Sequence, residues 1–281
     1  MDLSAWSADP PKKALRLLFI HHSCGGQLLA DVGPEKERAS CILETHENGG
    51  GLRRRLRDAG YEVHEASYGS DVGEATDLFD WLPKLETKMD KILSVDENDR
   101  ALPAGVTSSI VMFKSCYPNN RFEGEGTEPG DPRGPALTVA NAKATLRALL
   151  PIFEKRPDVL FVYFTAPPNA PRPKKVPLYR YLLDVARGGA MGQAIARQAK
   201  LARQFDDWVV SKDGWLAEYR GKNVVVFDYY DVLTDHGRSD TSAYPGGDGS
   251  DSHPTSAGNA KAAEEMVPLL NRAVRRAGLS E

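Results

Sequence analysis

Five short apolar runs, set apart by stretches of helical periodicity, limit the fold more than any other feature of this chain. They are Leu15 to His21 (LRLLFIH), Tyr61 to Ser67, Ser109 to Lys114 (SIVMFK), Val159 to Thr165 (VLFVYFT) and Asn223 to Asp228 (NVVVFD). The first is unbroken, which suits a strand buried on both faces, and Tyr61 to Ser67 alternates. Helices are expected over 50–59 (GLRRRLRDAG), with Gly60 as its stop, over Glu74 to Leu93, Ala140 to Lys155, Gly192 to Val210, and from Ser256 to about Ala277. Pro83 predicts a kink or a split in the second of these. Residues 119–135, the Pro-rich APPNAPRPKKVP after the fourth run, and 236–255 read as loops.

Strands alternating with helices predict a parallel sheet covered on both faces, a single-domain three-layer α/β/α sandwich. No repeat or shift in composition marks a boundary, so the expected organisation is a polar segment, 1–12, followed by one domain, 13–281. The 36 Lys and Arg against 39 Asp and Glu give a net charge of −3, without the basic excess of a nucleic-acid binder. No apolar run approaches the roughly 20 residues of a membrane span. Residues 1–12 do not read as a signal peptide, which leaves the compartment open between a cytosolic chain and one whose leader has been removed. Three cysteines cannot build a disulfide framework.

Ligands of open parallel sheets bind beyond the carboxyl ends of the strands. Those ends carry His21-His22-Ser23-Cys24-Gly25-Gly26, then Ser67 to Gly73, then Lys114-Ser115-Cys116-Tyr117-Pro118-Asn119-Asn120, then Thr165 to Asn169; the fifth leads on to Asp248 to Pro254. Ser23, at a strand-to-helix corner beside two glycines, is a candidate nucleophile; its plainer reading is a helix cap. His253, two residues after Asp251, is a candidate base; its plainer reading is an exposed loop histidine.

In their order and placement these blocks resemble the SGNH (GDSL-like) hydrolase superfamily, from Leu15 to the end of the last helix. The resemblance implies a flavodoxin-like sheet and a serine esterase with Ser23 as nucleophile, His253 as base and Asp251 as acid. The family's Gly-Asp before the serine is here His21-His22, its Gly-x-Asn-Asp is absent, and its acid position three residues before the histidine is Ser250, with Asp248 as the alternative acid. The implied oxyanion donors are the N–H groups of Ser23 and Gly73 and the Asn119 amide. Gly69 is the fallback for Gly73, and Asn120, Ser115 or Cys116 are the alternatives to Asn119. His22 and Tyr117 are expected to shape the substrate pocket.

No cofactor is expected. His21 and His22 point to opposite faces, which disfavours a shared metal ion. Cys24 is an alternative nucleophile, and a Cys24–Cys116 bridge requires adjacent first and third strands; Cys41 looks incidental. The Arg53-Arg54-Arg55 and Arg57 patch reads as a solvated face. Trp81, Trp208 and Trp215 read as core, and Gly49-Gly50-Gly51 lacks the residues of a phosphate loop. Asn119, Arg121, Asn169 and Arg172 make a polar mouth, which favours a small acyl group on a polar or carbohydrate alcohol. The competing reading is a non-catalytic module of the same fold that binds a glycan or other polar ligand.

Overall fold

A computed structural model describes residues 2–173 and 189–280. The five apolar runs form β1 (Leu15–Ile20), β2 (Tyr61–Ala66), β3 (Ile110–Lys114), β4 (Leu160–Phe164) and β5 (Val224–Phe227), hydrogen-bonded in the order β2-β1-β3-β4-β5. Every pairing is parallel, for example Leu17 with Val63 and with Ile110. This is the flavodoxin-like order, and it reverses between β1 and β3, where a crevice opens.

Helices cover both faces. On one side lie α1 (Cys24–Leu29), α2 (Leu52–Asp58), α6 (Tyr229–Leu233) and α7 (Ser256–Arg276), packed through Leu28, Leu56, Leu233 and Leu270 on Leu17, Phe19 and Val63. On the other lie α3 (Trp81–Leu93), α4 (Val139–Glu154) and α5 (Ala190–Val210), whose Trp81, Leu146 and Phe205 pack with Leu18, Ile20 and Phe113. The side of each strand residue follows from the pleat, which sends successive side chains to opposite faces.

Several expectations are corrected. The helix expected from Glu74 begins only at Trp81, after a 3-10 turn over Leu78–Asp80. Pro83 then falls in the first turn, where a backbone N–H has no intrahelical partner, so it breaks nothing. The polar loop of 236–255 contains a short antiparallel pair, Pro245–Gly246 with Asp251–Pro254. Residues 31–46 hold a small three-stranded sheet of Asp31–Val32, Lys36–Ala39 and Ile42–His46 that the apolar pattern did not reveal. Arg53 is buried, whereas Arg54, Arg55 and Arg57 face solvent. Trp81 and Trp215 are core, and Trp208 is half-buried under the Arg147 guanidinium. Residues 174–177 of the Pro-rich loop lie outside the described residues.

The segment before β1 rests on α7, where Asn271 Nδ2 donates to the Ala8 carbonyl at 2.8 Å. Among the described residues no helix is long and apolar enough to cross a membrane.

Candidate active site

Ser23 caps α1 directly beyond β1, and Cys116 follows β3, so the two face each other across the crevice. The corner is held from below. His21 turns into the α1 side and its Nε2 meets Glu65 Oε2 at 3.1 Å; Arg53 Nε donates to Glu65 Oε1 at 3.0 Å. A Cβ on Gly25 would sit 2.4 Å from His21 Cβ, so only glycine lets the α1 turn lie this close to the histidine. His22 turns the other way. Its Nε2 donates to the Gly73 carbonyl at 2.7 Å, its Nδ1 meets Thr76 Oγ1 at 2.9 Å, and its ring stacks on Tyr68. Burial lowers its pKa, and both nitrogens are occupied, so His22 braces the pocket rather than offering a free nitrogen to substrate.

The Ser23 hydroxyl has Cys116 Sγ as its hydrogen-bond partner, at 3.4 Å. Cys116 also receives Lys114 Nζ at 3.3 Å. Cys41 is not incidental: the small sheet of 31–46 lays its carbonyl 2.1 Å from where a Cβ on Gly26 would sit, against the turn that follows the serine. Cys24 is wholly buried, and its hydrogen bond to Cys116 together with burial pushes its thiol well up, which makes it a poor nucleophile.

Two expected oxyanion donors are already bonded inside the protein. The Gly73 N–H donates to Ser70 Oγ at 2.8 Å, and a Cβ there would lie 2.0 Å from the Ser67 carbonyl, so the turn is locked against the backbone. The Asn119 amide donates to Asp77 Oδ1 at 2.8 Å and to the Cys116 carbonyl at 3.2 Å, and its oxygen accepts the Leu78 N–H. Asn120 Nδ2 is bonded to the Ala166 carbonyl at 2.8 Å. Of the alternatives for the third block, Cys116 is the one beside Ser23; Ser115 Oγ accepts from Trp81 Nε1 at 2.9 Å.

His253 stands on the Asp251–Pro254 strand. Residues two apart on a strand share a face, which is why the two-residue spacing brings Asp251 Oδ1 to within 2.8 Å of His253 Nδ1. The same carboxylate accepts the His253 N–H at 3.0 Å. Asp248 instead accepts from Ser250 Oγ at 2.7 Å. Ser252, on the opposite face, accepts the Ala170 N–H at 2.9 Å and ties this strand to the loop after β4. The carboxylate fixes the ring through Nδ1, and Nε2 carries no hydrogen bond among the described residues.

Ser23 and His253 do not hydrogen-bond each other. The Tyr117 ring meets the His253 ring edge-on at 5.2 Å, and Tyr117 follows Cys116, the partner of the Ser23 hydroxyl, in the chain. Beside Tyr117 opens a cleft of about 560 Å³, lined by Arg121, Asn169, Arg172, Gln198, Ser250 and Ser252 among others. Arg121 lies over the Tyr117 ring and donates to Asn169 Oδ1 at 3.1 Å. Among the described residues, no group of three or more His, Cys, Asp or Glu side chains is arranged to hold a metal ion.

No known family profile and no curated protein matches the chain. Among solved structures it is similar to the acetylxylan esterase Axe2 of Geobacillus stearothermophilus, at 16% identity over 96% of this chain and 95% of that one, with a TM-score of 0.36. A catalytic mutant of the same esterase aligns at 16% identity over the same shares with a TM-score of 0.39. It is also similar to a carbohydrate esterase family 2 enzyme with a carbohydrate-binding domain from Corynascus thermopiles (Myceliophthora fergusii), at 14% identity over 95% of this chain and 68% of that one, TM-score 0.39.

Proposed function

We propose that the protein is a serine esterase that removes a small acyl group from a polar or carbohydrate alcohol. The observation that carries this reading is the Asp251–His253 pair, whose Nε2 has no hydrogen bond among the described residues, packed on Tyr117, the residue after the Cys116 that bonds Ser23 at the crevice of a parallel sheet. Apo hydrogen bonds in catalytic sites are often long and tighten when substrate arrives. On the proposed path the Ser23 hydroxyl turns from Cys116 to His253 Nε2, which takes its proton as Oγ attacks the ester carbonyl. Asp251 stabilises the resulting imidazolium. With Gly73 and Asn119 bonded elsewhere, the donors assigned to the oxyanion are the N–H groups of Ser23 and Cys24 at the start of α1. His253 then protonates the leaving alcohol, and water reverses the sequence. Arg121, Asn169, Arg172 and Gln198 along the cleft support a polar alcohol over a long acyl chain.

The internal bonding of Gly73 and Asn119 favours a second reading, a binding module that keeps the fold without the chemistry. An aryl ester series from acetyl to dodecanoyl, together with a fluorophosphonate probe, separates the two. The esterase reading expects acetyl preference, labelling of Ser23, and a loss of about 10³-fold or more in Ser23→Ala and His253→Ala. Equal activity in all three proteins refutes it. Absent labelling, with ligand binding indifferent to Ser23→Ala, selects the module.

A further inference from the structure

The chain has three cysteines, and the fold brings all of them to the Ser23 corner: Cys24 beside the serine in sequence, Cys116 at its hydroxyl and Cys41 against the α1 turn at Gly26. They are not equivalent. Cys116 Sγ receives Lys114 Nζ at 3.3 Å and shares a hydrogen bond with Ser23 Oγ at 3.4 Å. Lys114 is 0% exposed, and among the described residues no carboxylate pairs with it. A buried ammonium is tolerated only beside a counter-charge, and the atom it meets is the Cys116 sulfur. A thiolate there satisfies both groups. Hydrogen bonding from Cys24 and the Lys114 charge hold the Cys116 thiol well below its ordinary range, while the same contact and burial hold Cys24 well above. Cys116 is partly exposed and Cys24 is buried behind it.

We infer that Cys116 is a thiol-modification site, whose thiolate reacts with low-molecular-weight disulfides and whose adduct is resolved by Cys24 into a Cys24–Cys116 bridge. The division of labour follows from the geometry: a partly exposed residue whose sulfur meets Lys114 Nζ in front, a fully buried thiol behind. The two lie just past β1 and β3, which are neighbours in the sheet. In the first step Cys116 attacks one sulfur of the reagent, forming a mixed disulfide and expelling one thiolate. In the second, Cys24 gives its proton to that thiolate, attacks the Cys116 sulfur and expels the other thiolate, which takes a proton from solvent. The reagent gains the two electrons that the cysteine pair loses. Bridge formation leaves Lys114 without its counter-charge and replaces the anionic acceptor of the Ser23 hydroxyl with a neutral sulfur. The inference goes beyond the esterase reading and stands or falls without it.

The test uses the full chain, reduced and then exposed to oxidised glutathione, followed by intact mass and peptide mapping. The expected result is a single glutathione adduct on Cys116 that converts to a product two hydrogens lighter than the reduced protein, with Cys24 joined to Cys116 and Cys41 free. Cys24→Ser is expected to stop at the Cys116 adduct, and Cys41→Ser to behave as the unmutated chain. Alkylation of Cys116 by iodoacetamide in the unmutated protein is expected to stay nearly flat between about pH 7 and pH 9, where an ordinary thiol ionises. Lys114→Met is expected to slow that alkylation about tenfold at neutral pH. First reaction at Cys41 or Cys24, a bridge that includes Cys41, no reaction, or a Cys116 alkylation rate that climbs with pH like a free thiol each overturns the inference. The wild-type mapping and pH profile decide the matter even if Lys114→Met does not fold.

Discussion

The two layers flanking the sheet bury ionisable groups in opposite ways. On the α1–α2–α7 side, Glu65 is 1% exposed and fully partnered, by Arg53 and His21 within the layer and by Arg38 at its edge. Burial works to raise its pKa, but His21 and Arg53 outweigh it and hold the carboxylate below its ordinary range. On the α3–α4–α5 side, Asp206 is also 1% exposed, yet among the described residues neither carboxylate oxygen has a hydrogen-bond partner. Burial first, and then Asp228, push it well up, and Asp228 itself is pushed up to about 6 by burial. One layer holds its buried carboxylate among fixed opposite charges, and the other holds buried carboxyls whose hold on the proton is raised. The charged layer is the one directly beneath Ser23, where a fixed set of ion pairs holds the corner in register.

The largest expected effect comes from emptying the paired layer. Glu65→Ala leaves Arg53 and His21 buried without their anion and should destabilise the fold by about 3–5 kcal/mol in urea titrations; a loss below about 1 kcal/mol would erase the contrast. The neutral layer has a pH signature instead. The Asp228 carboxyl titrates at about 6 when folded against 3.8 when unfolded, so the folded chain binds the proton more tightly. Its contribution is therefore complete below about pH 4 and disappears as the pH rises through about 6, a decline of up to about 3 kcal/mol. Asp228→Asn, which keeps an acceptor for the Asp231 N–H, should decline less steeply when denaturation is compared from pH 4 to 7; parallel pH profiles for the two proteins would contradict the assignment. The smallest expected effect compares two glycines. Gly25→Ala, blocked by His21, should cost about 1–3 kcal/mol, whereas Gly192→Ala, with nothing within 4 Å inside α5, should gain about 0.5–1 kcal/mol. Thermal melts that rank them the other way would mean the Ser23 corner is the looser of the two.

Four strands were legible because burial on both faces writes itself as a mostly apolar run, Tyr61–Ala66 by its alternation, and their observed limits differ from the expected ones by about a residue. The small sheet was not, because its Lys36–Ala39 strand is mostly charged and exposed. Arg53 looked like part of a solvated run because its partner, Glu65, comes from another element 12 residues on. The proximity of Cys41 to Ser23 depends on that same unread sheet. Gly73 and Asn119 lie at the strand ends the sequence points to, but sequence carries no information on which acceptor a donor finds, and Ser70 and Asp77 reach them first. The Asp251–His253 spacing was readable only once 251–254 is taken as extended chain.

The bond from the Ala170 amide to the Ser252 hydroxyl has a mechanical consequence. The strand that carries the imidazole is stitched to the wall of the cleft, since Ala170 and its neighbour Asn169 both line that wall. Whatever pries the wall outward carries the His253 ring with it, so the width of the cleft and the height of the imidazole above the sheet cannot be tuned separately.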